Sequence, residues 1–229
     1  MNPKHPLSTI TVYRLVASFI LAISIYSCAN MSRPGGGPRD ETPPVFIKST
    51  PVPNALNVSK QKVEIEFDEI IQVDKPSEKV IVSPPQKDMP EIRTSGRKIT
   101  VILKDSLLPN TTYTIDFSDA IIDNNERNPL YGFAYSFSTG PKIDSLQVSG
   151  ILLNARDLEP ITGMLVGLHS DLEDSAFQKL PLERIASSDE LGHFTIRNVT
   201  PGKYRLFALR QPVGRYRFSR FYRYSFGRC

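Results

Sequence analysis

Apolar residues recur at every second position through the body of this chain, and that period constrains the fold more than any other feature. Val63, Ile65 and Phe67 alternate with Glu64 and Glu66. Ile99, Val101 and Leu103 share one face of residues 98–103; Tyr113, Ile115 and Phe117 share one face of 112–117; Phe133, Tyr135 and Phe137 share one face of 133–137. Residues 80–82 (VIV) are a shorter candidate. A period of two places alternate side chains on opposite faces of a half-buried strand. The separators VPNALN, SPPQKDMP, TSGRK, LPNT and DNNERNP are turn formers, since Pro presets φ and Asn, Asp and Gly tolerate tight turns. Proline (19) outnumbers glycine (13), which argues for strands between turns rather than long helices. Short strands at this spacing predict an all-β chain built on β-sandwiches.

Five spaced stretches, STPVPNALNV, VEIEFDEII, LLPNTTYTIDFSDA, IIDNNERNPL and FAYSFSTG, resemble the bacterial Ig-like domain found in S-layer and other surface proteins. The resemblance implies a β-sandwich over residues 43–140. One departure is Arg127, where the family usually carries Gly before Asn128.

After a short linker the alternation resumes. QVSGILL (147–153) and EPITGMLVGLHS (159–170) precede ERIASSDELGHFTIRNVTPGKYRLFAL (183–209). The last stretch reads as strand, D-x-x-G turn, strand, P-G turn and strand, a meander by period and turn residues alone. Residues 188–206 resemble the transthyretin-like, carboxypeptidase-regulatory-type domain. That resemblance implies a second β-sandwich over 146–209, incomplete by one or two closing strands, that offers stability or binding surface and no catalysis.

At the other end, Lys4 and Arg14 precede the 12-residue apolar run LVASFILAISIY. A membrane-spanning helix needs about 20 apolar residues, so residues 1–27 are expected to be a signal peptide. Ile25-Tyr26-Ser27-Cys28 resembles a bacterial lipobox, with Ile25 and Ser27 fitting and the bulky Tyr26 departing from the pattern. Cys28 is then the expected lipidation site, the membrane the expected partner through its acyl chains, which anchor stably as a set of two or three. Residues 28–42, with three consecutive glycines and two prolines, suit a flexible tether.

The formal net charge is +4, but two basic residues lie within 1–27 and six arginines within 210–229, so the body between them is mildly acidic. Net charge therefore gives no argument for nucleic acid as a partner. The tail RQPVGRYRFSRFYRYSFGRC (210–229) breaks abruptly from the preceding composition. Three readings compete for it: a segment for anionic surfaces, an amphipathic closing strand, or a frameshifted or truncated reading, which the break inside an incomplete domain favours.

The chain carries few motifs that point to chemistry. No G-x-S-x-G, H-E-x-x-H or P-loop occurs. Two cysteines at opposite ends make no zinc pattern. His169, Ser170 and Asp171 are sequence neighbours, whereas a triad is a spatial grouping. Glu66, Asp68 and Glu69 read as strand-edge charge. DFSDAIIDNNERNP is rich in oxygen ligands and makes Asp119, Asp123 and Asn125 weak calcium candidates, against the plainer reading of an Asx-stabilised turn. Three Asp-Ser-(apolar) triplets make Ser106, Ser145 and Ser175 candidate O-glycosylation sites. No catalytic residue and no cofactor is expected.

The expectation is a non-catalytic envelope lipoprotein of the Gram-negative outer membrane, acting as a structural spacer or an adhesion module with a protein or glycan partner. The alternative is a carbohydrate-binding or enzyme-associated surface module whose functional part lies beyond the tail. Tyr131 and Phe133 are the aromatic candidates for a glycan face.

Overall fold

The computed structural model describes residues 10, 12–14, 16–19, 40–173 and 180–209. The chain divides into two compact units, Met1–Arg39 and Asp40–Cys229. In the first, the described residues are helical. No helix among the described residues is long and apolar enough to cross a membrane. The second unit is almost entirely β-structure, as the alternation predicts.

Its first sandwich begins with a four-stranded antiparallel sheet, in the order β1 (Phe46–Thr50), β2 (Lys62–Phe67), β6 (Lys98–Ile102), β5 (Glu91–Ser95). The opposing sheet places β7 (Thr112–Asp116) between β10 (Ala134–Ser138) and β4 (Ile81–Ser83). The alternating residues meet as the period requires. Val63 pairs with Val101 and Ile65 with Ile99 across β2 and β6, and Tyr113 pairs with Phe137 across β7 and β10. Val63, Ile65, Phe67, Ile99, Val101, Ile115 and Phe137 are fully buried between the sheets, each contributing about 1.5–3 kcal/mol relative to exposure. The Tyr113 and Phe137 rings stack at 5.3 Å. Both core tyrosines find partners for their hydroxyls: Tyr113 Oη accepts from the Leu108 N–H (2.7 Å), and Tyr135 Oη donates to the Pro51 carbonyl (2.8 Å).

A third, small sheet joins β3 (Ile71–Val73), β8 (Ile121–Asp123) and β9 (Pro129–Leu130). One helical turn, α1 (Pro76–Lys79), links β3 to β4. Proline in its first turn suits a position whose N–H has no intrahelical partner. Strands β1 and β5 (FIKST and EIRTS) fall outside the alternation read from the sequence. They are the two edges of their sheet, mostly half-buried or exposed, and an edge strand carries little of the apolar period. Charges on β5, where Glu91 pairs with Lys104 (2.5 Å) and contacts Arg93, blunt that edge against further pairing.

The second sandwich sets β11 (Leu146–Ile151) with β14 (His193–Val199) against a sheet of β13 (Arg184–Ser187), β12 (Leu165–His169) and β15 (Arg205–Leu209). Leu152, Val166, Leu168, Phe194, Ile196 and Val199 fill the space between. The meander expected across 183–209 does not form. β13 and β15 both flank β12, while β14 crosses to pair with β11. Burial explains the difference. Every residue of β12 is buried, so it must be the central strand of its sheet, whereas β14 alternates buried with partly exposed residues.

The D-x-x-G turn between β13 and β14 forms as expected. Asp189 Oδ1 accepts the N–H groups of Leu191 (2.9 Å) and His193 (2.8 Å), and Gly192 donates to the Asp189 carbonyl (3.0 Å). Gly192 has φ +76°, and a Cβ there would lie 2.5 Å from the Leu152 carbonyl oxygen. Gly192→Ala is therefore expected to cost about 2–3 kcal/mol, read as a lowered urea midpoint at unchanged slope.

Candidate functional site

The two sandwiches meet across a contact that is apolar at one side and polar at the other. Ile81 of β4 packs into a cluster with Leu165, Leu182, Ile185 and Leu209, and Phe207 packs against it. β15 thus faces apolar surroundings on both sides, since Leu206 and Ala208 point into their own core. Ser83 Oγ accepts the Ile185 N–H (3.1 Å), where β13 runs alongside β4.

Beside this cluster lies a partly buried polar network. Asn198 Oδ1 accepts from Thr114 Oγ1 (2.7 Å) and Ser136 Oγ (2.8 Å), both on the first sandwich, and Asn198 Nδ2 donates to the Asp144 carbonyl (2.6 Å). Two hydroxyl donors on one side and a carbonyl on the other fix the amide orientation. Asn198 also has φ +57°, a left-handed conformation that asparagine tolerates better than most residues. Arg184, 7% exposed, donates to the Thr112 carbonyl and lies 3.5 Å from the Asp144 carboxylate, which also accepts from Thr112 Oγ1 (3.0 Å). Burial lowers the pKa of this guanidinium and Asp144 opposes the shift.

The acidic loop is organised around one side chain. Asp123 is 1% exposed. Its Oδ1 accepts the N–H groups of Asn125 (2.8 Å), Glu126 (2.6 Å) and Arg127 (3.1 Å), and its Oδ2 accepts that of Asn128 (2.6 Å). Asp119 is bound to Lys79 Nζ (2.6 Å), and Asn125 Oδ1 accepts from Asn124 (3.4 Å). The three calcium candidates thus serve the chain's own donors. Among the described residues no group of three or more His, Cys, Asp or Glu could hold a metal ion. Arg127 adopts φ +67°, which accounts for glycine at this place in the resembling family. Asn128 Nδ2 reaches the carbonyls of Asp40 (2.9 Å) and Thr42 (3.3 Å), so the last residues of the expected tether lie against this loop.

The remaining candidates are placed as follows. His169 is buried and its Nδ1 accepts the Asp171 N–H (2.9 Å), while Ser170 Oγ binds Glu183. This is a local turn, with no nucleophile against a base. Asp68 accepts the Val45 N–H (2.7 Å), and Glu66 lies 3.5 Å from both Lys48 and Lys98. Burial, then the carboxylates of Asp123 and Asp68, push the pKa of Glu69 up. Phe133 packs within 6 Å of Phe46, Phe67 and Phe117, whereas Tyr131 is 75% exposed. Ser106 and Ser145 are exposed in loops, and their Asp neighbours are engaged, Asp105 accepting the Lys87 N–H and Asp144 in the junction. Ser175, the Ile25–Tyr26–Ser27–Cys28 motif and the 210–229 tail lie outside the described residues.

The junction residues Ser83, Arg184 and Asn198 were not legible as a set. Each is a polar residue beside an apolar run, and no local period marks which polar residue will be buried by another domain.

Two measurements check these roles. Burial raises the pKa of Asp123, and its four amide donors outweigh that and hold it below the ordinary value near 3.8. A lowered folded pKa contributes stability above the unfolded value that is lost as pH falls through the folded one. Asp123→Ala is expected to cost about 3 kcal/mol at pH 7, with the difference from the wild type shrinking below pH 4. For the junction, Arg184→Met combined with Asn198→Ala should split one calorimetric unfolding transition into two, as coupling between the sandwiches is lost.

A search of curated proteins gives no significant match. Among solved structures, the N-terminal part of the bacterial S-layer protein SbsC aligns at 14% identity and TM-score 0.31, over 90% of this chain and 50% of that one. This chain therefore spans half the length of that S-layer structure. An L,D-transpeptidase from Mycobacterium smegmatis aligns at 13% identity and TM-score 0.31, over 71% of this chain and 79% of that one. The major pilin subunit of Bacillus cereus aligns at 13% identity and TM-score 0.22, over 72% and 58%. At such scores these neighbours bear on neither activity nor partners. The sequence itself is more informative: residues 40–139, spanning the first sandwich, match the bacterial Ig-like domain family.

Proposed function

We propose that this chain is a non-catalytic lipoprotein of the bacterial cell envelope, with its β-sandwiches serving as a structural spacer or adhesion module. The observation that carries the reading is the junction. Arg184 and Asn198 are committed to hydrogen bonds across it, beside an apolar cluster drawn from both sandwiches. Buried polar groups at such a contact cost several kcal/mol when unpaired, so sliding or hinging there is opposed. A pair of domains locked in this way holds whatever lies beyond it at a set position, which is the task of a spacer. The Ig-like match over 40–139 agrees with that role. The second sandwich is read as transthyretin-like, the lipid is carried by Cys28, and the outer membrane of a Gram-negative bacterium is the site of anchoring. Exposed Ser106 and Ser145 are the accessible O-glycosylation candidates among the described residues.

The test is metabolic labelling of the full chain with an alkyne fatty acid in a Gram-negative host, followed by membrane fractionation. The wild type is expected to carry label and sediment with outer membranes, and Cys28→Ser to lose both. Label retained by Cys28→Ser, or an unlabelled wild type, overturns the anchor.

A further inference from the structure

A cleft of about 420 Å³ opens beside the polar junction, between the two sandwiches. Its volume lies in the range of small-ligand sites, roughly 300–1,000 Å³. Asn54, Gly132, Ala134 and Ser136 line it from the first sandwich, and Ser145, Gln147 and Arg197 from the second. Its walls are held in place by Asn198 and Asp144, the residues that join the sandwiches.

Arg197 is the unusual member. Its Nε is buried and makes no hydrogen bond, and no ion pair within 4.0 Å engages its guanidinium among the described residues. Asp144 is taken by Arg184 and Thr112; Asp116 accepts the Ser118 N–H (2.8 Å) and feels the Arg197 charge, without forming an ion pair with it within 4.0 Å. A buried guanidinium donor without a partner is costly, and such a group beside a cleft is a place where an anion is favoured. The side chains of Asn54, Ser145 and Gln147 likewise form no hydrogen bond among the described residues, leaving amide and hydroxyl groups free to face a ligand.

We infer that this cleft binds an acidic saccharide, with Arg197 pairing with its carboxylate and Asn54, Ser145 and Gln147 meeting its hydroxyls. Guanidinium matches carboxylate in a two-point, charge-assisted contact. Amides and hydroxyls both donate and accept, as sugar hydroxyls do. An extended peptide is less suited, because Ala134 and Ile143 are the apolar side chains that the lining offers to its side chains. This inference does not rest on the spacer reading, and lipid labelling and saccharide binding fail or succeed separately.

The experiment is isothermal titration of the full chain with trigalacturonic acid, its neutral methyl ester, and triglycine. The acid is expected to bind the wild type at least tenfold more tightly than either other probe. Arg197→Gln should weaken it at least tenfold, with partial retention in Arg197→Lys. Should Arg197→Gln fail to fold, Gln147→Glu, at an exposed position without hydrogen bonds, is expected to weaken the acid severalfold by repulsion. No binding by the wild type, equal binding of the methyl ester, tighter binding of triglycine, or a folded substitution that leaves affinity unchanged overturns the inference.

Discussion

The hydrogen bonds of Asn198 to Thr114, Ser136 and the Asp144 carbonyl hold the second sandwich against the first, and much of the molecule's organisation follows from that contact. The asparagine accepts twice and donates once from a left-handed backbone position. Aspartate there would accept but not donate, and alanine would leave the Asp144 carbonyl without this donor and the Thr114 and Ser136 hydroxyls with only each other. Arg184 extends the same network to the Thr112 carbonyl and the Asp144 carboxylate. Polar contacts of this kind add little net free energy when formed and cost much when broken, so they specify one relative placement of the sandwiches. The apolar cluster of Ile81, Leu165, Ile185 and Leu209 supplies the non-directional attraction that brings the two together.

A second theme is how the chain uses its carboxylates. Asp123 gathers four consecutive amides, Asp189 two, and Asp105 one from a distant segment. Asp123 and Asp189 each brace a turn alongside its backbone hydrogen bonds, and Asp105 ties two separate segments together. A loop rich in Asp and Asn has the composition of a cation site, but composition does not say whether its oxygens point to a common centre or back to the chain. Here they point back, and the loop that resembled a calcium ligand set is a structural turn. Arg197 is the opposite case: a guanidinium beside a cleft whose buried Nε has no hydrogen-bond partner.

How much of this was legible in the sequence depended on whether the signal was local. Period-two alternation located β2, β6, β7 and β10, because the faces of those strands are buried against an opposing sheet of the same domain. It missed β1 and β5, whose edge positions leave most of their side chains partly exposed. The turn residues were also legible: Gly192 at positive φ and the Asp189 cap follow from residue type alone. The pairing of β13, β14 and β15 was not, because strands adjacent in sequence can join different sheets, and only the full burial of β12 decides which strand is central.

The sequence by itself determined that this chain is all-β, where most core strands and turns lie, and that the first sandwich is of the Ig-like kind. These properties are encoded by side-chain period and turn conformation within a few residues. Only the tertiary structure decided that Arg184 is buried and Asn198 half-buried at a junction, that Asp123 is spent on its own loop, and that Arg197 stands beside an open cleft. Each of those depends on which segments, tens of residues apart, come to lie within hydrogen-bond distance, and no local pattern carries that information.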